Sequence, residues 1–210
     1  MKKIISCIIT LLVSYSLCSA QQSKDSIFSE SQLILHTATG DIFGSLIIPA
    51  GKTTMPVALI IAGSGPTDRD GNNAMMKNNS LMQLANELAQ TGIASLRFDK
   101  RGIAASMKAG MKESDLRFEN YIDDVKSWVK LLRTDKRFSY ITIIGHSEGS
   151  LIGMIAANTD ADKYISIAGP GESADITLKK QLATQPDEIK NMCYEILDSL
   201  KAGKTKIKKN

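Results

Sequence analysis

Gly145-His146-Ser147-Glu148-Gly149 is the stretch that decides the fold of this chain. An apolar run, 141–144, precedes it, and a helix-like stretch, 151–157, follows it. A strand, a sharp turn and a helix in this order form a nucleophile elbow, whose strained turn holds a serine hydroxyl at the carboxyl end of a sheet. Glycines at 145 and 149 suit the turn because larger side chains would collide with the adjoining strand and helix. We therefore predict that Ser147 is a nucleophile.

The start of the helix after this turn predicts a site for a developing negative charge. Free backbone N–H groups at a helix N-terminus attract anions, so the backbone N–H of Glu148 is one natural donor to an oxyanion. His146 is a poor candidate for the base, since neighbouring side chains at such a turn diverge. We expect its ring to pack beside the strand.

A second loop, Ala62-Gly63-Ser64-Gly65-Pro66-Thr67-Asp68-Arg69-Asp70-Gly71-Asn72, follows the apolar strand 57–61. The glycines let the backbone approach a ligand closely, and the Ser64 N–H is the best candidate for a second oxyanion donor. We expect Asp68, Arg69 and Asp70 to satisfy backbone groups and one another. Two carboxylates alone predict no metal site, because no further ligands cluster nearby.

A third stretch, Phe98-Asp99-Lys100-Arg101-Gly102, ends another buried strand. We expect Asp99 and Arg101 to fix the loops around the site, with a substrate contact as the secondary alternative.

The apolar pattern of the remaining chain predicts an α/β fold. An antiparallel hairpin over 31–48 precedes strands and helices that alternate as far as residue 168, which indicates a mostly parallel, doubly wound sheet covered on both faces. After Gly171 the sequence predicts two helices with no strand between them.

The N-terminus predicts export. Lys2 and Lys3, a short apolar core and the small residues before Gln21 indicate a signal peptide over 1–20, cleaved near Ala20 to give a periplasmic or secreted protein. A lipoprotein anchor on Cys18 is the alternative. We expect residues 21–30 to be a disordered N-terminus.

The net charge of +4 is concentrated at the two ends of the chain. Five lysines fall in the last ten residues, and we interpret 204–210 as a solvated basic tail. The folded middle shows no basic face with interleaved aromatics, so we predict no nucleic-acid partner. No segment after the signal peptide predicts a membrane span, and the oligomeric state is left open.

The three motifs together resemble the secreted bacterial carboxylesterases of the α/β-hydrolase superfamily, in the group with a Gly-Ser-Gly-Pro oxyanion loop. Serine aminopeptidase-like and dienelactone-hydrolase-like proteins are close relatives of that group. The resemblance implies a core over 31–171, the start of a helical cap over 172–203, and hydrolysis of small-molecule carboxylic esters through an acyl-enzyme, without metal or cofactor. It implies Ser147 as nucleophile, with Ser64 and Glu148 as oxyanion donors.

The sequence departs from that family in two respects. Ala104 stands where the family usually has glycine. Family members also continue beyond the cap helices to supply further strands and the triad acid and histidine, whereas the two histidines of this sequence are His36 and His146. We therefore expect no triad acid or base in this chain, a sheet incomplete at its C-terminus, a truncated product of a longer gene, and little or no turnover. A peptidase of the same fold and a non-catalytic binding or assembly protein are the alternatives.

Overall fold

The computed structural model describes residues 27–112 and 114–204. The predicted signal peptide, 1–20, lies outside these residues, as does most of the predicted basic tail. Over the residues that are described, no helix combines the length and the apolar character that crossing a bilayer requires.

Six strands form one mixed sheet in the order β1-β2-β4-β3-β5-β6. The β1–β2 and β2–β4 pairs are antiparallel and the other three pairs are parallel, which confirms the mostly parallel sheet with an N-terminal hairpin. The hairpin begins at Phe28, so residues 28–30, which we placed in the disordered N-terminus, belong to the sheet. The strands are β1 (Phe28–Thr37), β2 (Gly40–Pro49), β3 (Met55–Ile61), β4 (Ala94–Phe98), β5 (Phe138–His146) and β6 (Lys163–Ile167).

Helices cover both faces of the sheet, because the parallel strands present apolar side chains to both sides. One apolar cluster joins the first helix to one face, and a larger cluster joins the second and third helices to the other face. The fully buried Trp128 lies in the larger cluster, with its ring centroid 5.7 Å from that of Phe98. The helices are α1 (Ser80–Gln90), α2 (Phe118–Thr134), α3 (Glu148–Asp160), α4 (Ala174–Leu182) and α5 (Asp187–Lys201), with a 3-10 helix at Ala104–Ala109.

The last two helices, α4 and α5, pack on each other, and neither contains a buried residue. The Tyr194 hydroxyl donates to the Lys179 carbonyl at 2.7 Å, and ion pairs join Lys179 to Asp198 and Lys201 to Asp175. This helical hairpin occupies the segment that we predicted as the start of a cap.

Candidate active site

The turn between β5 and α3 has the geometry of a nucleophile elbow. Ser147 is the N-cap of α3 and has φ 52° and ψ −121°, a strained conformation that costs about 1–3 kcal/mol. A Cβ at Gly145 would lie 2.2 Å from the carbonyl oxygen of Gly149, and a Cβ at Gly149 would lie 2.5 Å from that of Ile61. Both positions therefore exclude any side chain.

The exit of β6 holds the elbow in place, which the sequence analysis missed. The Ser147 N–H donates to the Ile167 carbonyl at 2.9 Å. The hydroxyl of the buried Ser150 donates to the Gly145 carbonyl at 2.5 Å. Ala168 follows with φ 50°, so the chain turns tightly just after its contact with the nucleophile.

The loop after β3 lies directly against the elbow. Residues Ile61 and Gly145 are paired in the β3–β5 register, which places the two strand ends side by side. A Cβ built on Gly63 would lie 3.1 Å from His146 Nδ1 and 3.2 Å from the Cβ of Ser147, so a larger residue here would require these side chains to move by a few tenths of an ångström. Ser64, the next residue, is exposed. Glu148 begins α3, where a backbone N–H has no acceptor within the helix.

Lys100 connects the two proposed oxyanion donors, although the sequence analysis gave it no role. Its side chain is buried, and its Nζ donates to the Gly63 carbonyl at 2.6 Å and to Glu148 Oε2 at 3.1 Å. The same ammonium lies 5.4 Å from the centroid of the Tyr121 ring. Burial raises the pKa of the Tyr121 hydroxyl, and the nearby Glu148 carboxylate raises it further, so Tyr121 stays neutral at physiological pH.

Asp99 fixes two loops around the site. Its carboxylate accepts hydrogen bonds from the Arg69 N–H at 2.7 Å and from the Ala105 N–H at 3.1 Å. Arg101 is fixed by Asp124, through a bond from Nε at 2.7 Å, and by Thr39. Burial raises the pKa of the Asp124 carboxyl, while its hydrogen bonds with Arg101 act in the opposite direction.

The charges of the 62–72 loop are paired differently from what we expected. Asp68 does satisfy backbone groups, since its Oδ1 accepts from the N–H of Asp70 and of Asn72. Arg69 and Asp70 do not pair with one another. Arg69 instead binds Asp99, at 2.7 Å.

Asp70 binds Arg97, a side chain of β4 that is only 2% exposed and that also contacts Glu30 at 2.8 Å. The prediction that the three loop charges satisfy one another is therefore wrong. Asp70 pairs instead with the buried Arg97 of β4, which is distant from the loop in the sequence.

Neither histidine forms a hydrogen bond with Ser147 in the part of the chain that the structure describes. His36 lies on β1, four strand positions from β5, or about 19 Å at the usual strand spacing. Its ring is bound to Asp41 at 2.7 Å. His146 is exposed, and its Nδ1 would lie 3.1 Å from a Cβ built on Gly63, so the ring lies by the loop that follows β3. That it packs beside the strand stays a prediction.

A cleft of about 260 Å³ opens between residues 66–73 and residues 102–107. Asp68 and Asn72 lie on one side, and Ile103 and Met107 lie on the other. The cleft is formed by the loops that follow β3 and β4, at the same carboxyl end of the parallel strands as the elbow.

Ala104, which lines this cleft, has φ 43°, a left-handed conformation that favours glycine. The departure from the family glycine therefore falls on a strained residue. Within residues 27–112 and 114–204, no group of three or more His, Cys, Asp or Glu side chains could hold a metal ion.

Comparison with known proteins agrees with this geometry. Residues 76–184 match the family described as "Serine aminopeptidase, S33". Esterase EstD of Thermotoga maritima is 29% identical over 140 residues, which cover 66% of this chain and 33% of the relative. The chain thus spans about a third of the length of the curated relative that it matches.

Solved structures share the fold at low sequence identity. An alpha/beta hydrolase, GrgF, from Penicillium sp. sh18 superposes with a TM-score of 0.58 and 20% identity over 83% of this chain and 56% of its own. A serine hydrolase without lid from Xanthomonas campestris superposes with a TM-score of 0.54 and 22% identity, over 69% of this chain and 64% of its own. A dienelactone hydrolase from Anabaena variabilis superposes with a TM-score of 0.54 and 18% identity, over 69% of this chain and 65% of its own. The chain belongs to the serine aminopeptidase S33 family of the α/β-hydrolase superfamily.

Proposed function

We propose that this chain carries the nucleophile and the oxyanion hole of a serine esterase. The observation that carries the proposal is the close approach of the loop at Gly63 to the strained turn at Ser147, where a Cβ built on Gly63 would lie 3.2 Å from the Ser147 Cβ. This approach supports a Ser64 peptide that lies beside the nucleophile, with Glu148 at the start of α3 as the source of the second N–H.

In the proposed reaction, Ser147 Oγ attacks the carbonyl carbon of an ester. The carbonyl oxygen becomes an oxyanion, which the N–H groups of Ser64 and Glu148 stabilise. The C–O bond to the alcohol then breaks, the alcohol leaves with a proton, and an acyl group remains on Ser147. Water releases the acid in a second step. These steps require no metal or cofactor.

The weak step is the transfer of the serine proton. The His36 ring is bound to Asp41, no hydrogen bond joins His146 to Ser147 among the described residues, and the Glu148 side chain is bound to Lys100. In a serine protease, loss of the base lowers turnover by about a million-fold, or roughly 8 kcal/mol of barrier. The oxyanion hole and substrate binding alone retain a rate about 10³–10⁴-fold above that of the reaction in water. We expect slow acylation and very slow turnover.

The substrate that fits this proposal is a small carboxylic ester. The 66–73 and 102–107 cleft would take the part of the substrate that extends away from Ser147. The curated relative is named an esterase, whereas the family description names an aminopeptidase. Acylation by matched nitrophenyl-ester and aminoacyl-amide substrates separates these two activities.

The experiment is mass mapping of the acyl adduct after incubation with p-nitrophenyl acetate. We expect an acetyl group on Ser147, released over many minutes, and no adduct at this position in Ser147→Ala. Ser31→Ala, on the exposed face of β1, is the matched control and should label like the unchanged protein. Acetylation confined to lysines, at the same rate in all three proteins, would contradict the proposal.

A non-catalytic binding or assembly protein is the second candidate. Two observations favour it: neither histidine forms a hydrogen bond with Ser147 in the described residues, and β6, at one edge of the sheet, leaves Ile165 47% and Ile167 38% exposed. A stably folded protein that does not react with a fluorophosphonate at Ser147 would favour this candidate.

The proposal includes export of the chain. It rests on the sequence of residues 1–20, in which two lysines precede an apolar core and a small-residue site at Ala20. N-terminal sequencing of the mature protein should begin at Gln21, whereas a lipid-modified Cys18 would indicate an anchored protein.

A further inference from the structure

Lys100 is a buried charge that contacts the proposed site and has no part in the proposed reaction. Its side chain comes from the end of β4 and passes the end of β3 to reach the elbow that follows β5. The residue is 4% exposed, so its ammonium depends on the Gly63 carbonyl, on Glu148 and on the Tyr121 ring. A buried ammonium is costly unless it is paired, and two of these partners, Gly63 and Glu148, lie in the loop and the elbow of the proposed site.

The bond to the Gly63 carbonyl acts on the next N–H. The Gly63 C=O and the Ser64 N–H belong to one planar peptide unit, and no peptide bond of the described residues is cis. The two groups therefore point in opposite directions. Fixing the carbonyl on Lys100 fixes the direction of the Ser64 N–H, which points away from the ammonium.

The same bond also changes the strength of that donor. A hydrogen bond from an ammonium is charge-assisted, and the distance of 2.6 Å is short for a bond of this kind. Such a bond polarises the amide, and polarised hydrogen bonds in a chain strengthen one another. The Ser64 N–H thus becomes a better donor to an oxyanion.

The second bond reaches the residue that supplies the other donor. Lys100 Nζ lies 3.1 Å from Glu148 Oε2, and the Glu148 backbone N–H opens α3. One ammonium therefore ties the loop after β3 to the first residue of α3. It sets the separation of the two N–H groups that would share an oxyanion.

We propose that Lys100 is a positioning residue of the oxyanion hole, which orients and polarises the Gly63–Ser64 peptide and holds Glu148 at a fixed distance from it. The inference rests on the proposed function, in which the Ser64 and Glu148 N–H groups receive the oxyanion. It differs from a purely structural role because it requires a change at the Ser64 amide itself.

The test uses phenylboronic acid and amide NMR on the full chain. Ser147 Oγ bonds to boron, the boronic acid becomes a tetrahedral anion, and one proton goes to the solvent, so the adduct needs no protein base. In the unchanged protein, we expect the Ser64 and Glu148 amide signals to shift on binding. In Lys100→Met, we expect affinity to fall about tenfold or more, as for loss of a hydrogen bond to a charged group.

The controls separate polarisation from loosening of the fold. Lys52→Met removes another ammonium that donates to a backbone carbonyl, that of Gly92 at 3.3 Å, at the opposite end of the sheet. It should leave boronate affinity unchanged. In free Lys100→Met, the Ser64 amide proton should move upfield. The Ser147 amide, bonded to the Ile167 carbonyl, should not move. Equal movement of both amides would overturn the inference in favour of a structural role.

Two more conservative substitutions of Lys100 keep the test decisive if Lys100→Met does not fold. Lys100→Arg keeps the charge and Lys100→Gln keeps only a neutral donor, so we expect tighter boronate binding in the arginine variant. Equal affinities in the two variants would overturn the inference. If the boronate shifts neither the Ser64 nor the Glu148 amide in the unchanged protein, the proposed oxyanion hole is itself wrong. If the boronate shifts both amide signals, and by the same amount in the unchanged protein and in Lys100→Met, only the role of Lys100 is wrong.

Discussion

Substitution of Gly145 by alanine tests the close contact that defines the elbow. The new Cβ would lie 2.2 Å from the Gly149 carbonyl oxygen and 2.5 Å from Ser150 Cα. Both atoms are backbone, so the strand and the helix must separate by more than an ångström to reach ordinary contact. Overpacking of this kind costs typically 1–3 kcal/mol and occasionally more. Because rigid backbone lies on both sides, we expect a cost of about 3 kcal/mol in the free energy of unfolding.

The assay is urea unfolding followed by tryptophan fluorescence, since the single tryptophan, Trp128, is buried in the core. With a slope of about 2 kcal/mol/M, the midpoint should fall by about 1.5 M. Gly171→Ala is the matched control, because its Cβ would meet nothing within 4 Å and its φ is not positive. Its midpoint should stay unchanged or rise slightly. Equal midpoints for the two variants would refute the argument that the elbow glycines are sterically required.

Three other predictions concern the surroundings of the site. Asp124→Ala removes the only carboxylate bound to the buried Arg101 guanidinium among the described residues and leaves it only the Thr39 hydroxyl, so it should cost about 3–5 kcal/mol of unfolding free energy by urea titration; alanine at the exposed neighbour Asp123 should change this free energy by less than about 0.5 kcal/mol. Ala104→Gly should raise the urea-derived unfolding free energy by about 0.5–1 kcal/mol, because it relieves a left-handed φ of 43°; a loss of stability would contradict this. Hydrogen bonds from Lys201 and Ser173 lower the pKa of Asp175 from 3.8 to about 2, so this pairing supports the α4–α5 hairpin fully above about pH 4 and is lost as pH falls toward 2; a carboxyl NMR titration with a midpoint near 3.8 would show that the pairing is absent in solution.

The elbow could be predicted from the sequence because its requirements are local. Two glycines four residues apart, a preceding apolar strand and a following helix all fall within 141–157. The alternation of strands and helices likewise predicted the mostly parallel sheet, since the apolar pattern of each strand and helix lies within its own short segment of sequence. The strand start at Phe28 was missed because Ser29 and Glu30 are exposed in β1, and an edge strand shows little apolar pattern.

The network around the site could not be predicted, because its partners lie far apart in the chain. Lys100 is 37 residues from Gly63 and 48 from Glu148, and Arg97 is 67 residues from Glu30. Only the strand order brings these groups together. A signal was present: three consecutive charges, 99–101, follow directly on an apolar strand, where a buried position requires each charge to find a partner. The sequence does not say which partner.

The most direct measurement is a crystal structure of the chain with phenylboronic acid bound. The proposed function predicts tetrahedral boron on Ser147 Oγ, with one boronate oxygen about 2.7–3.1 Å from both the Ser64 and Glu148 backbone nitrogens. Boron bound elsewhere, or on Ser147 with its oxygens directed away from both nitrogens, would contradict it.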